Sequence, residues 1–171
     1  MTYSKKRTVD EPFIIGYTTD EHLLLDLDNT THKQVRQITL MIMREFPEVG
    51  NALIVLSSSG NREHIIDITK KGRPKHFYGK DSFHIVFDNI VSYDYICEII
   101  EVLVRLHILP LAYLTIRQFR GDMTLRLTGA KLLNKTKSAP VLLEHIHNPY
   151  IKKEDNKIKD YLKTFLAVRL L

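Results

Sequence analysis

The stretch HLLLDLDNTTHKQ, residues 22–34, ends an apolar run on two carboxylates one residue apart, Asp26 and Asp28. Side chains of a strand alternate in direction, so both aspartates project from one face while Leu25 and Leu27 point to the other. Two like charges held side by side repel by on the order of a few kcal/mol unless a cation or an arginine compensates. Hard divalent cations such as Mg²⁺ take carboxylate oxygens as ligands, which makes the pair a metal-ligand candidate. Solvated aspartates at a strand end, one of them capping the next helix, have the same spelling. A second chemical feature is KKGRPKHFYGK, residues 70–80, where Lys70, Lys71, Arg73, Lys75 and Lys80 surround His76, Phe77 and Tyr78. Cations at that density can follow a phosphate backbone while the rings stack on bases, and a solvated loop has a similar composition.

The elements that must position these residues follow from periodicity. EPFIIGYTTDEHLLLDLD reads as two strands around the turn TTDE, the second ending on the aspartates. NTTHKQVRQITLMIMREFPE has capping candidates at Asn29 to Thr31 and apolar residues at 35, 38, 41, 42 and 46, a helical spacing stopped by Pro47. NALIVLSSSG is an apolar strand running into a small-residue turn, REHIIDI a short strand, and DSFHIVFDN an alternating one. SYDYICEIIEVLVRLHILP is a second helix bounded by Ser92 and Pro110. LAYLTIRQFRGDMTLRLTG reads as a hairpin turning at Gly121-Asp122, with Arg117 and Arg126 on a wet face. KLLNKTKSAP reads as a polar loop, VLLEHIH as a strand, and KIKDYLKTFLAVRLL as a carboxy-terminal amphipathic helix. This order predicts an α+β fold with a mixed or largely antiparallel sheet backed by helices, in one domain spanning residues 1–171.

The bulk numbers fit that expectation. A chain of 171 residues has the size of one domain, and 44% hydrophobic with 26% charged residues is ordinary for a globular protein. No apolar run reaches membrane-span length, and MTYSKKRTVDEPF has no apolar stretch of the signal-peptide kind. Cys97 is the only cysteine, which excludes an internal disulfide and a cysteine-based zinc site. A cytoplasmic location and no membrane partner are expected. The net charge of +5 favours polyanionic partners.

Taken in order, LLLDLDN, SFHIVFDN and TLRLTG resemble the catalytic core of the archaeo-eukaryotic primase superfamily: a DxD on one strand, a small residue-x-His on a later one, then a further acidic residue and an arginine-bearing strand. The resemblance covers roughly residues 12–130 and implies a palm of the RNA-recognition-motif kind. It implies DNA-replication chemistry, the metal-dependent transfer of nucleotides from nucleoside triphosphates on a single-stranded or primed DNA template, or on RNA. Mg²⁺ or Mn²⁺ would be held by Asp26 and Asp28, with Asp122 of RGD, or Asp88, standing in for a third carboxylate that is absent near Thr115. By the same resemblance Ser82 and His84 would contact the triphosphate, Arg117, Arg120 and Arg126 would neutralise it, and a replication partner subunit is implied. Ser59 and His64 in SSSGNREH offer a second version of the histidine motif.

Two other readings compete. LLLDLDNTT is similar to the first motif of haloacid-dehalogenase phosphatases, with Asp26 as nucleophile, Asp28 as acid/base, Thr30 as helper, and ALIVLSSSG and RGDMT as later motifs. That fold requires a parallel sheet covered on both faces, where Arg117 would be costly inside a strand. The third reading is a nucleic-acid-binding or replication-initiator domain without polymerase chemistry. In its nicking form His145 and His147 would form a metal pair and Tyr161 would be the nucleophile.

Overall fold

In the computed structural model the described residues are 2–6, 14–57, 65–66, 76–77, 79–126, 130–132, 135–137 and 140–151. The chain runs β1 (Thr2–Lys6), β2 (Ile14–Thr19), β3 (Leu24–Thr31), α1 (His32–Glu45), a 3₁₀ turn (Pro47–Val49), β4 (Ala52–Leu56), β5 (Ile65–Ile66) and β6 (His76–Phe77). It continues through β7 (Lys80–Phe87), α2 (Tyr93–Arg105), α3 (Leu111–Arg120), β8 (Met123–Arg126), β9 (Ala130–Leu132), β10 (Lys135–Lys137) and β11 (Val141–Ile146). The central sheet has four strands in the order β11-β4-β7-β3, every neighbour antiparallel. The α+β expectation therefore holds, and the sheet is antiparallel throughout.

Each strand separates two apolar sets. Leu23, Leu25 and Leu27 of the β3 stretch, with Ile54 of β4 and Phe83, Ile85 and Phe87 of β7, are buried against Val35, Ile42 and Met43 of α1 and Ile96, Ile99, Ile100 and Leu103 of α2. At about 1.5–3 kcal/mol for each fully buried aliphatic or aromatic side chain, this helix-covered face dominates the stability of the domain. On the other face Leu24, Leu53, Val55 and Val86 meet Leu125 of β8. That strand belongs to a second antiparallel sheet, ordered β1-β2-β8, which packs on this face through Leu125, while Asp26 and Asp28 of β3 stay exposed.

Helix α1 starts on a capping box, in which the Thr31 hydroxyl accepts from the Gln34 N–H and the Gln34 side chain accepts from the Thr31 N–H. Ser92 caps α2 by accepting from the Tyr95 N–H. The expected first strand of the hairpin is instead helix α3. Pro110 precedes it, and Gly121 closes it in the left-handed region at φ 75° with its N–H on the Arg117 carbonyl. Leu114 to Arg117 mimics strand alternation only if Arg117 marks the solvent side. In fact Arg117 is fully buried, which returns the apolar residues to helical spacing. The loop expected at 131–140 likewise contains the β9–β10 hairpin, and Phe77 in the basic tract pairs with Ile65. The expected carboxy-terminal helix lies outside the described residues.

Gly50, between the 3₁₀ turn and β4, has φ +89°, and a Cβ there would sit 2.0 Å from Asp88 Oδ1 and 2.9 Å from the Asn89 nitrogen. Asp88 needs that proximity, because its carboxylate accepts from the Asn51 N–H at 2.6 Å and from the Asn51 side chain at 2.9 Å. Gly121 has the same sign of φ with nothing within 4 Å of the added carbon. Gly121→Ala is expected to cost roughly 1 kcal/mol from backbone strain alone, and Gly50→Ala on the order of 3 kcal/mol from strain plus collision. Urea midpoints of the two variants measure the difference, and equal losses would remove the close approach as the cause.

Candidate functional site

Asp26 lies directly opposite His84 in the β3–β7 ladder. Its N–H donates at 3.0 Å to the Tyr113 hydroxyl, away from β7, so Asp26 and His84 form a non-hydrogen-bonded pair, the closer of the two antiparallel spacings. The consequence is an ion-pair distance of 3.6 Å between His84 Nε2 and Asp26 Oδ1. The His84 side chain is 3% exposed and that of Asp26 is 44% exposed, so an imidazole in the sheet faces a carboxylate in solvent.

One residue further on the ladder is irregular. Leu27 pairs with Phe83 and Thr30 with Asp81, so Asp28 and Asn29 together oppose Ser82. This is a β-bulge, and Asn29 takes the left-handed conformation at φ 53° that such a bulge accommodates. Asp28 stays on the same face as Asp26, where its carboxylate accepts a short hydrogen bond from the Ser82 hydroxyl. Each aspartate thus has its own neighbour on β7, which relieves their mutual repulsion.

Helix α3 supports this edge. The Tyr113 hydroxyl accepts from the Asp26 N–H and donates to the Leu24 carbonyl, both at 3.0 Å, taking the place of a missing neighbour strand. Burial, with the nearby Asp26 charge, pushes the Tyr113 phenol well above its ordinary range, so it stays protonated and able to donate. Arg117 is not on a wet face and is not placed to neutralise phosphate. Its guanidinium donates to the Thr19 and Asp20 carbonyls at 3.1 and 2.8 Å and lies 5.2 Å from the centre of the Tyr93 ring. Burial lowers its pKa.

The other candidates distribute as follows. Arg120 is exposed and pairs with Asp122 at 3.1 Å just before β8. Asp122 does not complete a three-carboxylate cluster: among the described residues no three His, Cys, Asp or Glu side chains converge to hold a metal. Asp88 is engaged by Asn51, and burial raises its pKa. The Arg126 backbone pairs with Gly16 in the second sheet. Lys80 is exposed at the start of β7, whereas Lys70, Lys71, Arg73, Lys75, Ser59, His64 and Tyr161 lie outside the described residues. Thr30 turns its hydroxyl back to the Leu27 carbonyl at 3.3 Å. Together with an all-antiparallel central sheet and Asp26 on its edge strand, this removes the phosphatase reading, which needs a parallel sheet. His145 and His147 bring their rings to 4.2 Å, and burial followed by the neighbouring His147 lowers the His145 pKa.

Sequence reasoning missed a second histidine–carboxylate contact, on the helix-covered face. Glu144 of β11 is 3.3 Å from His32 Nε2 and accepts from Arg36 Nε at 2.9 Å, and the His32 ring stacks on Phe83 at 6.1 Å. A register shift between Leu142 and Glu144 places this carboxylate among apolar neighbours, a feature periodicity does not announce. Burial raises the Glu144 pKa, but its bonds to His32 and Arg36 outweigh that and hold it below the usual range.

Two outcomes are expected. Tyr113→Phe leaves the Leu24 carbonyl and Asp26 N–H without their partner, at a cost of about 1–2 kcal/mol read from the urea midpoint, with faster exchange of the Asp26 amide. For Glu144 the folded pKa is depressed, so its stabilisation is complete above its unfolded pKa of about 4.3 and is lost as pH falls through the folded value. Glu144→Gln should therefore be less stable than the parent by roughly 1–2 kcal/mol at neutral pH, with the gap closing on acidification below the glutamate range. A gap independent of pH would contradict that assignment. Comparison of the chain with protein-family models, curated proteins and solved structures finds no match to any of them.

Proposed function

We propose that the exposed carboxylates of β3 bind a nucleoside triphosphate together with Mg²⁺ or Mn²⁺, and that the chain is a primase-like nucleotidyltransferase of DNA replication. The observation that carries this reading is the juxtaposition of Asp26, Asp28, Ser82 and His84 on one face of the β3–β7 ladder, the two carboxylates exposed and the imidazole buried beneath Asp26. Two carboxylates suit a cation that keeps most of its water and takes its remaining ligands from phosphate, which is how Mg²⁺ is commonly held. When bound, such an ion would act as a Lewis acid toward the phosphoryl group. Asp26 and Asp28 would hold it, the Ser82 hydroxyl would orient Asp28, and the buried His84 imidazole would act through Asp26, which it faces at 3.6 Å. Arg120 and Lys80, both exposed, remain candidates for neutralising phosphate, and the basic tract around residues 70–80 for following a nucleic-acid backbone. A single-stranded or primed DNA template, or RNA in its place, and a replication partner subunit belong to the same reading.

Asp28→Asn tests it. The amide oxygen still accepts from Ser82, so the urea midpoint should move by no more than about 0.5 kcal/mol. Mg²⁺-dependent binding of nucleoside triphosphate, followed by calorimetry, should be lost, as should Mn²⁺-supported dinucleotide synthesis in Asp26→Ala. Unchanged triphosphate titration in Asp28→Asn would overturn the assignment. Salt-sensitive nucleic-acid binding indifferent to both substitutions would identify a non-catalytic binder instead.

A further inference from the structure

His145 and His147 stand two residues apart at the end of β11, outside the site on β3 and β7. His145 pairs with Leu53 in the ladder, which sets its side chain on the face of Leu24, Leu53 and Val86, and His147 follows two residues on. The two rings approach to 4.2 Å between centres, tilted by 53°. His145 is half-buried and its Nε2 is enclosed without a hydrogen-bond partner, whereas His147 is exposed. A polar nitrogen shut away from water with no partner costs on the order of 1–3 kcal/mol, and native folds seldom leave one.

The backbone holds this pair in place. His145 and Ile146 sit in register with Leu53 and Ala52. Directly after His147, the Asn148 N–H donates to Asn51 Oδ1 at 2.9 Å, and its side chain donates to the Pro47 and Gly50 carbonyls at 3.0 Å. The backbone on both sides of His147 is thus anchored, while its exposed ring can change rotamer. Asp88 lies close enough for its charge to act on His147. Both Asp88 oxygens accept from Asn51, and among the described residues no third His, Cys, Asp or Glu converges on the pair. Asp88 therefore contributes as nearby negative charge, which favours a cation.

Paired imidazoles select a class of metal. Imidazole nitrogen suits Zn²⁺, Ni²⁺ and Cu²⁺, whereas Mg²⁺ keeps to oxygen ligands. Two nitrogens at about 2.0–2.1 Å from one ion leave the rest of a tetrahedral shell to water. We propose that His145 and His147 chelate a divalent transition-metal ion of the zinc class, with water completing its coordination. The exposed His147 ring turns so that both imidazoles direct a nitrogen at one point. This site does not depend on the nucleotide reading, since β11 and β3 are opposite edges of the central sheet, three strand spacings or about 14 Å apart.

Zinc chloride titrated into the full chain tests this, with calorimetry for affinity and long-range ¹H–¹⁵N imidazole spectra for location. One Zn²⁺ should bind saturably and shift the ring nitrogens of His145 and His147 together. His147→Ala, at an exposed position, should weaken that binding at least about tenfold, and His145→Phe, which keeps a ring in the half-buried place, should do the same. The double variant should lose little more than either single one, because both nitrogens grip one ion. Asp28→Asn should leave the affinity unchanged, and excess Mg²⁺ should not displace the Zn²⁺. The absence of a saturable site in the parent would overturn the proposal, as would binding of parental affinity in both histidine variants. An effect of only one of the two histidines would mark a single-imidazole contact and overturn the chelate. Loss of binding in Asp28→Asn, with the His145 and His147 resonances unmoved by Zn²⁺, would assign the ion to the carboxylates and overturn it as well.

Discussion

The register between β3 and β7 is the constraint on which the candidate site depends. Leucines at 23, 25 and 27 alternate with Leu24, Asp26 and Asp28, so a slip of one residue would carry both aspartates into the helix-covered core and put three leucines outside. Burying two unpaired carboxylates there would cost far more than the apolar burial could return. The hydrophobic alternation therefore determines that Asp26 meets His84 and that Asp28 meets Ser82. The bulge at Asp28–Asn29 refines the outcome by letting the second aspartate keep its face while the strand bends toward the start of α1.

An edge strand that carries charged chemistry has a further problem, because its outer hydrogen-bonding groups face away from the sheet. Helix α3 solves it with one hydroxyl that serves the Leu24 carbonyl and the Asp26 N–H. The helix is itself held by Arg117, whose donors reach the carbonyls of the turn leading into β3. Sheet edge, helix and turn are thus one hydrogen-bonded unit, with the Asp26 N–H held by Tyr113 while its neighbours in β3 pair with β7.

What was legible in the sequence follows from this. Strand alternation in LLLDLDN and SFHIVFDN, the helical spacing from Val35 to Phe46, and the caps at Thr31 and Ser92 are local signals, and the structure follows them. The juxtaposition of the DxD with SFH could be anticipated because both motifs sit on strands of one face. Helix α3 was not legible as a helix because its one buried arginine reads as a surface residue, and only tertiary partners, two carbonyls and the Tyr93 ring, make its burial tolerable. Glu144 was missed for the same reason. A carboxylate in an apolar strand is explicable only once His32 and Arg36 arrive from another element.

The two histidine–carboxylate contacts lie on opposite faces of one sheet, and their surroundings separate structural from chemical roles. Glu144 is 8% exposed and shared between an imidazole and a guanidinium, so its charge is compensated within the fold. Such a group holds α1 to β11 and has little left to offer a ligand. Asp26 is 44% exposed, and its 3.6 Å approach to His84 exceeds hydrogen-bond length. On its side of the sheet a buried imidazole lies beneath an exposed carboxylate, with a second exposed carboxylate beside it. That asymmetry in exposure is why the proposed chemistry is placed at Asp26 and Asp28 and why Glu144, despite the similar pairing, is read as a fastening.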